Sequence, residues 1–385
     1  MRTVGAKRNS CPRCRTQTAA KRLNSYGTAT FVANAADSIH PYRSTICVKP
    51  PDFVLPGCGE VFALAVGVQP LVSFVIPVRN DVLRLQRCLA SITRNDYPRE
   101  LIEIIVVDNE STDGSAAAAR GYGAVVIKAT GTVAALRNRG ARAALGNIIA
   151  FADSDHEISR NWIECAVDAL SDTTVAATGA PCLTSPTPNW VQQQYDGLRV
   201  RPARREDASW LGSGNLAVKR SIFERIGGFN TSLIACEDVD LCNRITGAGF
   251  RIIADPDLRS IHFGDPKTLK ALFFGELWRG RDNLRVTFAG PRTFRHFRSA
   301  LIPIAELTML TLSAGLVVTG HVMPAALCLA AALIPVGIRA SHMRKRQLRR
   351  GVTAAAQALA VAVVYDLARA LAIIAGGSHR ARRTA

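Results

Sequence analysis

The chain carries neither of the glycine signatures that mark the common nucleotide folds. Its first strand-like run leads into Pro77-Val78-Arg79-Asn80-Asp81 without a Gly-x-Gly-x-x-Gly, and no Walker sequence occurs anywhere, which argues against a dinucleotide-binding βαβ unit and a P-loop enzyme. Acids are scarce beside bases, 30 Asp and Glu against 48 Lys and Arg, so a net charge of +18 directs attention to anionic partners. The basic clusters lack the interleaved aromatics of a single-strand-binding platform, and no nucleic-acid partner is expected. The densest of them, 339–350, lies between apolar segments, and a short basic tail follows Gly377, which points to an anionic membrane surface. The residues after Met1 run into polar sequence and not an apolar core, so no secretory signal is predicted. Cys11, Cys14, Cys47 and Cys58 fit no structural zinc spacing, and the ten cysteines are scattered, many in apolar contexts, as suits reduced thiols of a cytoplasmic protein.

What is present begins at about residue 69. Residues 1–68 show little periodicity and are expected to form a poorly ordered extension whose removal leaves activity unchanged. Beyond them, 71–77 reads as a strand ended by Pro77, followed by a helix with Leu83, Leu85, Cys88, Leu89 and Ile92 on its apolar side. Strands at 102–107, 125–127 and 148–152 alternate with further helical stretches. This rhythm predicts right-handed crossovers and a largely parallel sheet flanked by helices.

The run 148–152 breaks into Asp153-Ser154-Asp155-His156. At the C-terminal end of a buried parallel strand these carboxylates would stand where open α/β sheets bind ligands. Two neighbouring carboxylates repel, and Mg²⁺ or Mn²⁺ would relieve that cost, with a diphosphate completing the coordination shell. A solvated Asp-Ser-Asp turn is the plain alternative. Asp81, Asp108 and Asp113 lie at other strand ends, where carboxylates can accept hydrogen bonds from ribose hydroxyls and base N–H groups.

The ordered set Val-Ser-Phe-Val-Ile-Pro-Val-Arg-Asn-Asp, Glu-Ile-Ile-Val-Val-Asp-Asn-Glu-Ser-Thr-Asp, Arg-Asn-Arg-Gly and Phe-Ala-Asp-Ser-Asp resembles the family 2 glycosyltransferases of the GT-A fold over about residues 71–290. The resemblance implies that Pro77, Asn80 and Asp81 border the donor nucleotide, that Asp108 contacts the base and that Arg137 lies near base or phosphate. It further implies Asp153 on the ribose side and Asp155 on the metal. Arg79 in place of a common aromatic, Glu110 in place of a common glycine, and His156 after the Asp-x-Asp are departures that leave base and sugar open.

The second half starts near Thr178. Glycines in 210–220 would let the backbone pass close to a ligand, and the resemblance gives Gly214 and Asn215 a substrate-lining role; a plain glycine turn is the alternative. Glu237, Asp238 and Asp240 open a helix, where acids are favoured by the helix dipole and Asp240 can pair with Arg244. A transferase needs a base to take the acceptor's proton. The resemblance implies the Glu-Asp pair, with Asp238 as first choice and Glu237 as second. His262 is expected near the metal or diphosphate, or simply packed. Trp278, Arg279 and Arg281 can gather phosphate or sugar. Their order differs from the Gln-x-x-Arg-Trp of processive synthases, which argues against processive polymerisation.

Residues 301–319 and 322–338 are apolar runs of spanning length and predict a transmembrane helical hairpin, with Glu306 its first helix's lone acid. Arg292, Arg295 and Arg298 before the hairpin and the basic cluster after it fall on one side, so the catalytic half should be cytoplasmic. The run 352–375, interrupted by Asp366 and Arg369, is expected to lie in the interface or pack on the hairpin. The expected organisation is thus an extension at 1–68, a transferase domain at 69–298 and membrane helices at 299–385. The leading functional expectation is an inverting, metal-dependent hexosyltransferase-like enzyme moving a sugar from a nucleotide-diphosphate donor to a lipid-linked saccharide or surface polysaccharide. A nucleotidyltransferase on the same kind of metal site and a non-catalytic nucleotide-sugar binder are the alternatives.

Overall fold

The structure is a computed structural model of the chain, and it describes residues 69–290, 294–346 and 351–383. The extension at 1–68, with four of the cysteines, lies outside the described residues. Among the described residues the strands are β1 (Val72–Val78), β2 (Ile102–Asp108), β3 (Val125–Lys128), β4 (Ile148–Ala152), β5 (His156–Ile158), β6 (Val175–Gly179), β7 (Leu183–Thr184), β8 (Glu206–Asp207), β9 (Asn215–Lys219), β10 (Arg251–Ala254) and β11 (Ser260–His262). Among the described residues before 290, the α-helices are α1 (Val82–Thr93), α2 (Ser115–Gly121), α3 (Val133–Ala143), α4 (Trp162–Leu170), α5 (Trp190–Asp196), α6 (Arg220–Arg225), α7 (Glu237–Gly247), α8 (Leu269–Arg279) and α9 (Asn283–Ala289). Three long helices follow: α10 (Phe294–Val318), α11 (Val322–Lys345) and α12 (Val352–Arg383).

The main sheet has the order β3-β2-β1-β4-β9-β6-β10-β8. β1 pairs in parallel with β2 and β4, as the alternating strand and helix pattern requires. β9 enters antiparallel between β4 and β6, so the sheet is mixed at its centre. Every residue of β1 and β4 is buried, in keeping with strands covered on both faces. β1 extends one residue past Pro77, contrary to a strand ended there. Its pairing with β4 stops at Val75, so the proline's missing N–H costs no bond on that side. Leu83 is 74% exposed, unlike Leu85, Cys88, Leu89 and Ile92, which are fully buried. Those four repeat at i, i+3, i+4 and i+7, whereas two residues before Leu85 is the opposite side of the helix.

A second sheet, β5-β11-β7, stands at the C-terminal ends of the main strands. β11 pairs antiparallel with β5, placing His262 opposite His156, and parallel with β7, placing His262 beside Thr184.

The segments Ala300–Val318, Val322–Lys345 and Val352–Ile374 are long and apolar enough to cross a membrane. α10 and α11 form the expected hairpin, joined by a hydrogen bond from Ser313 Oγ to the Ala325 carbonyl at 2.9 Å. The expected domain boundary at 298–299 falls inside α10. α12 packs on the hairpin and on the α/β part together. Ala358, Val361 and Ala362 share a core with Val336, Ala340 and Met343 of α11, Leu272 of α8 and Val191 of α5. Arg369 forms an ion pair with Glu276 at 3.0 Å, and Gly280 is so close to Ala372 that a Cβ there would lie 2.5 Å from the alanine's methyl carbon.

Candidate active site

Several chain segments converge beyond the C-terminal ends of β1, β2 and β4. The loop after β4 supplies Asp153 and Asp155. Arg137, on α3, is 3% exposed and donates to both halves of the site: Nη2 to Asp153 Oδ1 at 2.6 Å and Nη1 to Glu237 Oε1 at 2.7 Å. Its guanidinium lies 5.6 Å from the centre of the Phe229 ring. Asn138 fixes Phe229 by accepting from its backbone N–H and donating to its carbonyl, both at 2.8 Å. Gly227 and Gly228 take φ of +80° and +69° just before it, a left-handed passage that a side chain would strain. Arg-Asn-Arg-Gly therefore acts as a clamp between sequence regions about 100 residues apart.

Asp155 faces Arg84 Nη1 at 3.7 Å and His262 Nε2 at 3.3 Å. His262 Nδ1 meets Asp265 Oδ1 at 2.6 Å, and Arg199 forms a short ion pair with the same aspartate. Burial disfavours the His262 imidazolium, but hydrogen bonds to Asp155 and Asp265 outweigh it and raise the group to about 9. Burial would likewise raise Asp155, yet His262 and Arg84 hold it at about 2. A proton on His262 thus supplies the positive charge between two carboxylates. His156 is buried, bonded through Nδ1 to Ser260 Oγ at 2.8 Å, and held down at about 4 by burial and by the neighbouring His262.

Two glycines shape this cradle. A Cβ on Gly264 would overlap Asp155 Oδ2 and lie 2.9 Å from His262 Nε2. A Cβ on Gly214 would lie 2.7 Å from Asp153 Oδ2 and 2.9 Å from His156 Nε2. Carboxylate and imidazole donors gathered this closely fit a small divalent cation: Asp153, Asp155 and His156 offer atoms within 4.8 Å of one another, and His262 Nε2 lies 3.3 Å from Asp155.

On the nucleotide side, Asp108 is 1% exposed and accepts from the Ser111 N–H at 3.1 Å. With Glu110, Ser111, Thr112, Lys128, Ala129 and Thr130 it lines a cleft of about 570 Å³. Asn80, at φ +49°, accepts from the Thr112 N–H at 2.7 Å, which joins the loops after β1 and β2. Pro77 lies in β1 opposite Val107. Asp81 accepts from Arg84 Nε at 2.8 Å and from Ser154 Oγ at 3.3 Å, which ties it to the Asp-x-Asp loop.

On the other side, Cys236 at φ +61° turns the chain into α7, whose first turn holds Glu237, Asp238 and Asp240. Asp240 pairs with Arg244 at 2.7 Å, the anticipated i,i+4 contact. Burial and the Glu237 charge push the Asp238 carboxyl up, and Arg137 opposes them. Asn215 is spent on structure: it accepts from Trp162 Nε1 at 2.7 Å and donates to the carbonyls of Ala180 and Leu258 at 2.9 and 2.8 Å. Arg279 donates to Glu276 at 3.1 Å, Trp278 is 42% exposed, and Arg281 carries a buried Nε with no hydrogen-bond partner among the described residues.

Sequence reasoning did not assign roles to Arg84, Arg199, Ser260 and Asp265. Asp265, three residues after His262, was the readable one, since a carboxylate at that spacing can orient an imidazole. The others arrive through tertiary contacts.

Known proteins resemble this chain in sequence and in fold. A model of glycosyl transferase family 2 matches residues 73–227. Glycosyltransferase AglE of Haloferax volcanii is 31% identical over 222 residues, covering 54% of this chain and 69% of that protein. The pre-mycofactocin glycosyltransferase of Mycobacterium tuberculosis is 31% identical over 204 residues, 48% of this chain but only 41% of its own length. Among solved structures, mannosyltransferase PcManGT from Pyrobaculum calidifontis, in complex with GDP-Man and Mn²⁺, superposes with a TM-score of 0.53 at 23% identity, covering 77% of this chain and 87% of that one. That likeness is one of fold, and the fold is GT-A.

Proposed function

The chain belongs to glycosyltransferase family 2, and on that premise we propose an inverting, metal-dependent enzyme that moves a sugar from a nucleotide-diphosphate donor to a lipid-linked saccharide or growing polysaccharide at the cytoplasmic face of a membrane. One observation carries the reading: the buried Arg137 binds Asp153 of the Asp-x-Asp and Glu237 of the acid pair at once, which joins a donor-side and an acceptor-side group in one site.

In this reading the nucleotide base lies in the Asp108 cleft, with Pro77, Asn80 and Asp81 at its border and Asp153 toward the ribose. Asp155 and His262 would hold Mg²⁺ or Mn²⁺, which when bound supplies charge to the departing diphosphate. Asp238 takes the acceptor hydroxyl's proton as that oxygen attacks the anomeric carbon. Burial and Glu237 raise its basicity for that task, and Arg137 holds the Glu237 carboxylate in place through its hydrogen bond. Gly214 lets the backbone approach the reacting groups, and Trp278, Arg279 and Arg281 border the acceptor side. The hairpin of α10 and α11 supports the membrane assignment, and the basic residues at its ends support the cytoplasmic orientation.

Thermal unfolding of the full chain in detergent with UDP, GDP, dTDP and CDP, each with and without Mn²⁺, tests the donor half, because a ligand of the native state raises its stability. GDP is the first to try, given the ligand of PcManGT. Stabilisation by one nucleotide only with metal is expected. No shift with any of them would refute the donor site. For the base, Asp238→Asn should keep that shift and lose transfer by about 10²-fold or more; retained transfer would pass the role to Glu237.

A further inference from the structure

The small sheet gathers a thiol and two imidazoles that the proposed transfer does not need as a set. His156 on β5 and His262 on β11 are directly opposite, with ring centroids 4.8 Å apart. Cys182 immediately precedes β7, where Thr184 lies beside His262. Two residues back along a strand is the same face. One donor atom each from His156, Cys182 and His262 lies within 4.8 Å of the others. Both imidazoles have Nδ1 engaged, by Ser260 Oγ at 2.8 Å and by Asp265 Oδ1 at 2.6 Å. A partner on Nδ1 orients Nε2 for a ligand, as in most metal-binding histidines.

Hardness separates this set from the Asp155 site. Mg²⁺ and Mn²⁺ favour oxygen, whereas two imidazoles and a thiolate suit Zn²⁺. A tetrahedral zinc site with bonds of about 2.0–2.3 Å spaces its donors by roughly 3.3–3.8 Å, so closure asks for shifts of about 1 Å. We propose that His156, Cys182 and His262 form an inhibitory Zn²⁺ site that takes His262 away from Asp155. On binding, two Zn–N bonds and one Zn–S bond form, the thiol proton and any proton on His262 pass to solvent, and water completes the shell. The binding site stands independently of the transferase reading; its inhibitory effect rests on His262 serving the Asp155 cation.

The test uses the full-length protein in detergent, stripped of metal, with Co²⁺ alone as probe. A near-ultraviolet thiolate-to-cobalt charge-transfer band is expected in the wild type, displaced by Zn²⁺ and lost in both Cys182→Ser and Cys182→Ala. Unchanged melting of either variant establishes that loss of the band is not loss of fold. No band in the wild type, or a band that survives in both variants, overturns the site. In transfer assays with saturating Mn²⁺, Zn²⁺ should inhibit the wild type, and Cys182→Ser should keep its basal rate while needing at least tenfold more Zn²⁺ for the same inhibition. Equal inhibition of both proteins overturns the regulatory role, and absence of transfer in both bears on the proposed function, because the cobalt spectrum needs no substrate.

Discussion

Arg137→Met should cost about 3 kcal/mol and displace the acid limb of activity. The dominant loss is at Glu237, whose side chain is 9% exposed and accepts from Arg137 at 2.7 Å. Removing one partner of a buried pair costs about 3–5 kcal/mol, because the remaining charge stays desolvated. Asp153 is 36% exposed, so water screens it and its share is at most about 1 kcal/mol. Loss of the Phe229 ring contact adds about 0.5–1 kcal/mol. In the other direction, Arg137 Nε is buried without a hydrogen-bond partner among the described residues, and deleting such a group returns about 1–3 kcal/mol. The balance is near 3 kcal/mol, or about 6–12 °C in melting temperature at about 2–4 °C per kcal/mol. Arg137→Lys keeps a charge but cannot fork to both acids, and should fall between. A double-mutant cycle with Glu237→Gln isolates the pair and should show coupling of about 1 kcal/mol or more. Since Arg137 lowers the Asp238 pKa, which burial and Glu237 push up to about 6, the substitution should also move the acid limb of the transfer rate to higher pH. A melting change within 2 °C by thermal unfolding (roughly 1 kcal/mol or less), with an unmoved acid limb, would refute the clamp.

Other outcomes follow from the same geometry. Gly264→Ala forces a methyl into the Asp155 carboxylate, so Mn²⁺ affinity measured by calorimetry should fall at least tenfold; wild-type affinity would sink the cradle. Gly140→Ala, whose Cβ would collide with Val75 Cγ1 between α3 and β1, is the control: melting should fall by about 1–3 kcal/mol worth while Mn²⁺ affinity stays unchanged. Glu276→Ala leaves Arg369 and Arg279 without their shared carboxylate and should cost about 3–5 kcal/mol. Tyr195→Phe removes only the 2.8 Å hydrogen bond to Glu276 and should cost about 1 kcal/mol. Equal melting of the two variants would show that the carboxylate is not the hub.

The parts that declared themselves in sequence are those governed by local pattern. Apolar runs announced β1, β2 and β4, and the Asp-x-Asp marked the end of β4, where Asp153, Asp155 and His156 offer atoms within 4.8 Å of one another. The short strands of the small sheet carried no periodic signal, since two or three residues cannot show one. Nor could sequence say that β9 runs antiparallel through the sheet's centre, because register depends on partners far along the chain. Arg137 stood out as a motif residue, but its bridging of Asp153 and Glu237 depends on α7 reaching back across the sheet. Asn215 shows the opposite failing: a polar residue in a glycine loop looks ligand-directed until its three hydrogen bonds to the fold are seen. For α12, composition alone could not separate a spanning helix from one seated against α5 and α8.

That seating turns the C-terminal helix into a strut. A catalytic domain hung from one membrane helix can swivel and reach acceptors over a wide range of heights. Here α12 is seated on α8 and α5 as well as on α11, which gives the domain a second point of attachment to the long helices. Where the hairpin is seated in a bilayer, the strut sets the altitude of the Asp238 carboxylate above it. Under the proposed reaction the acceptor would have to bring its hydroxyl to that altitude, and the length of a glycan already built would become a selection criterion that no side chain in the site has to read.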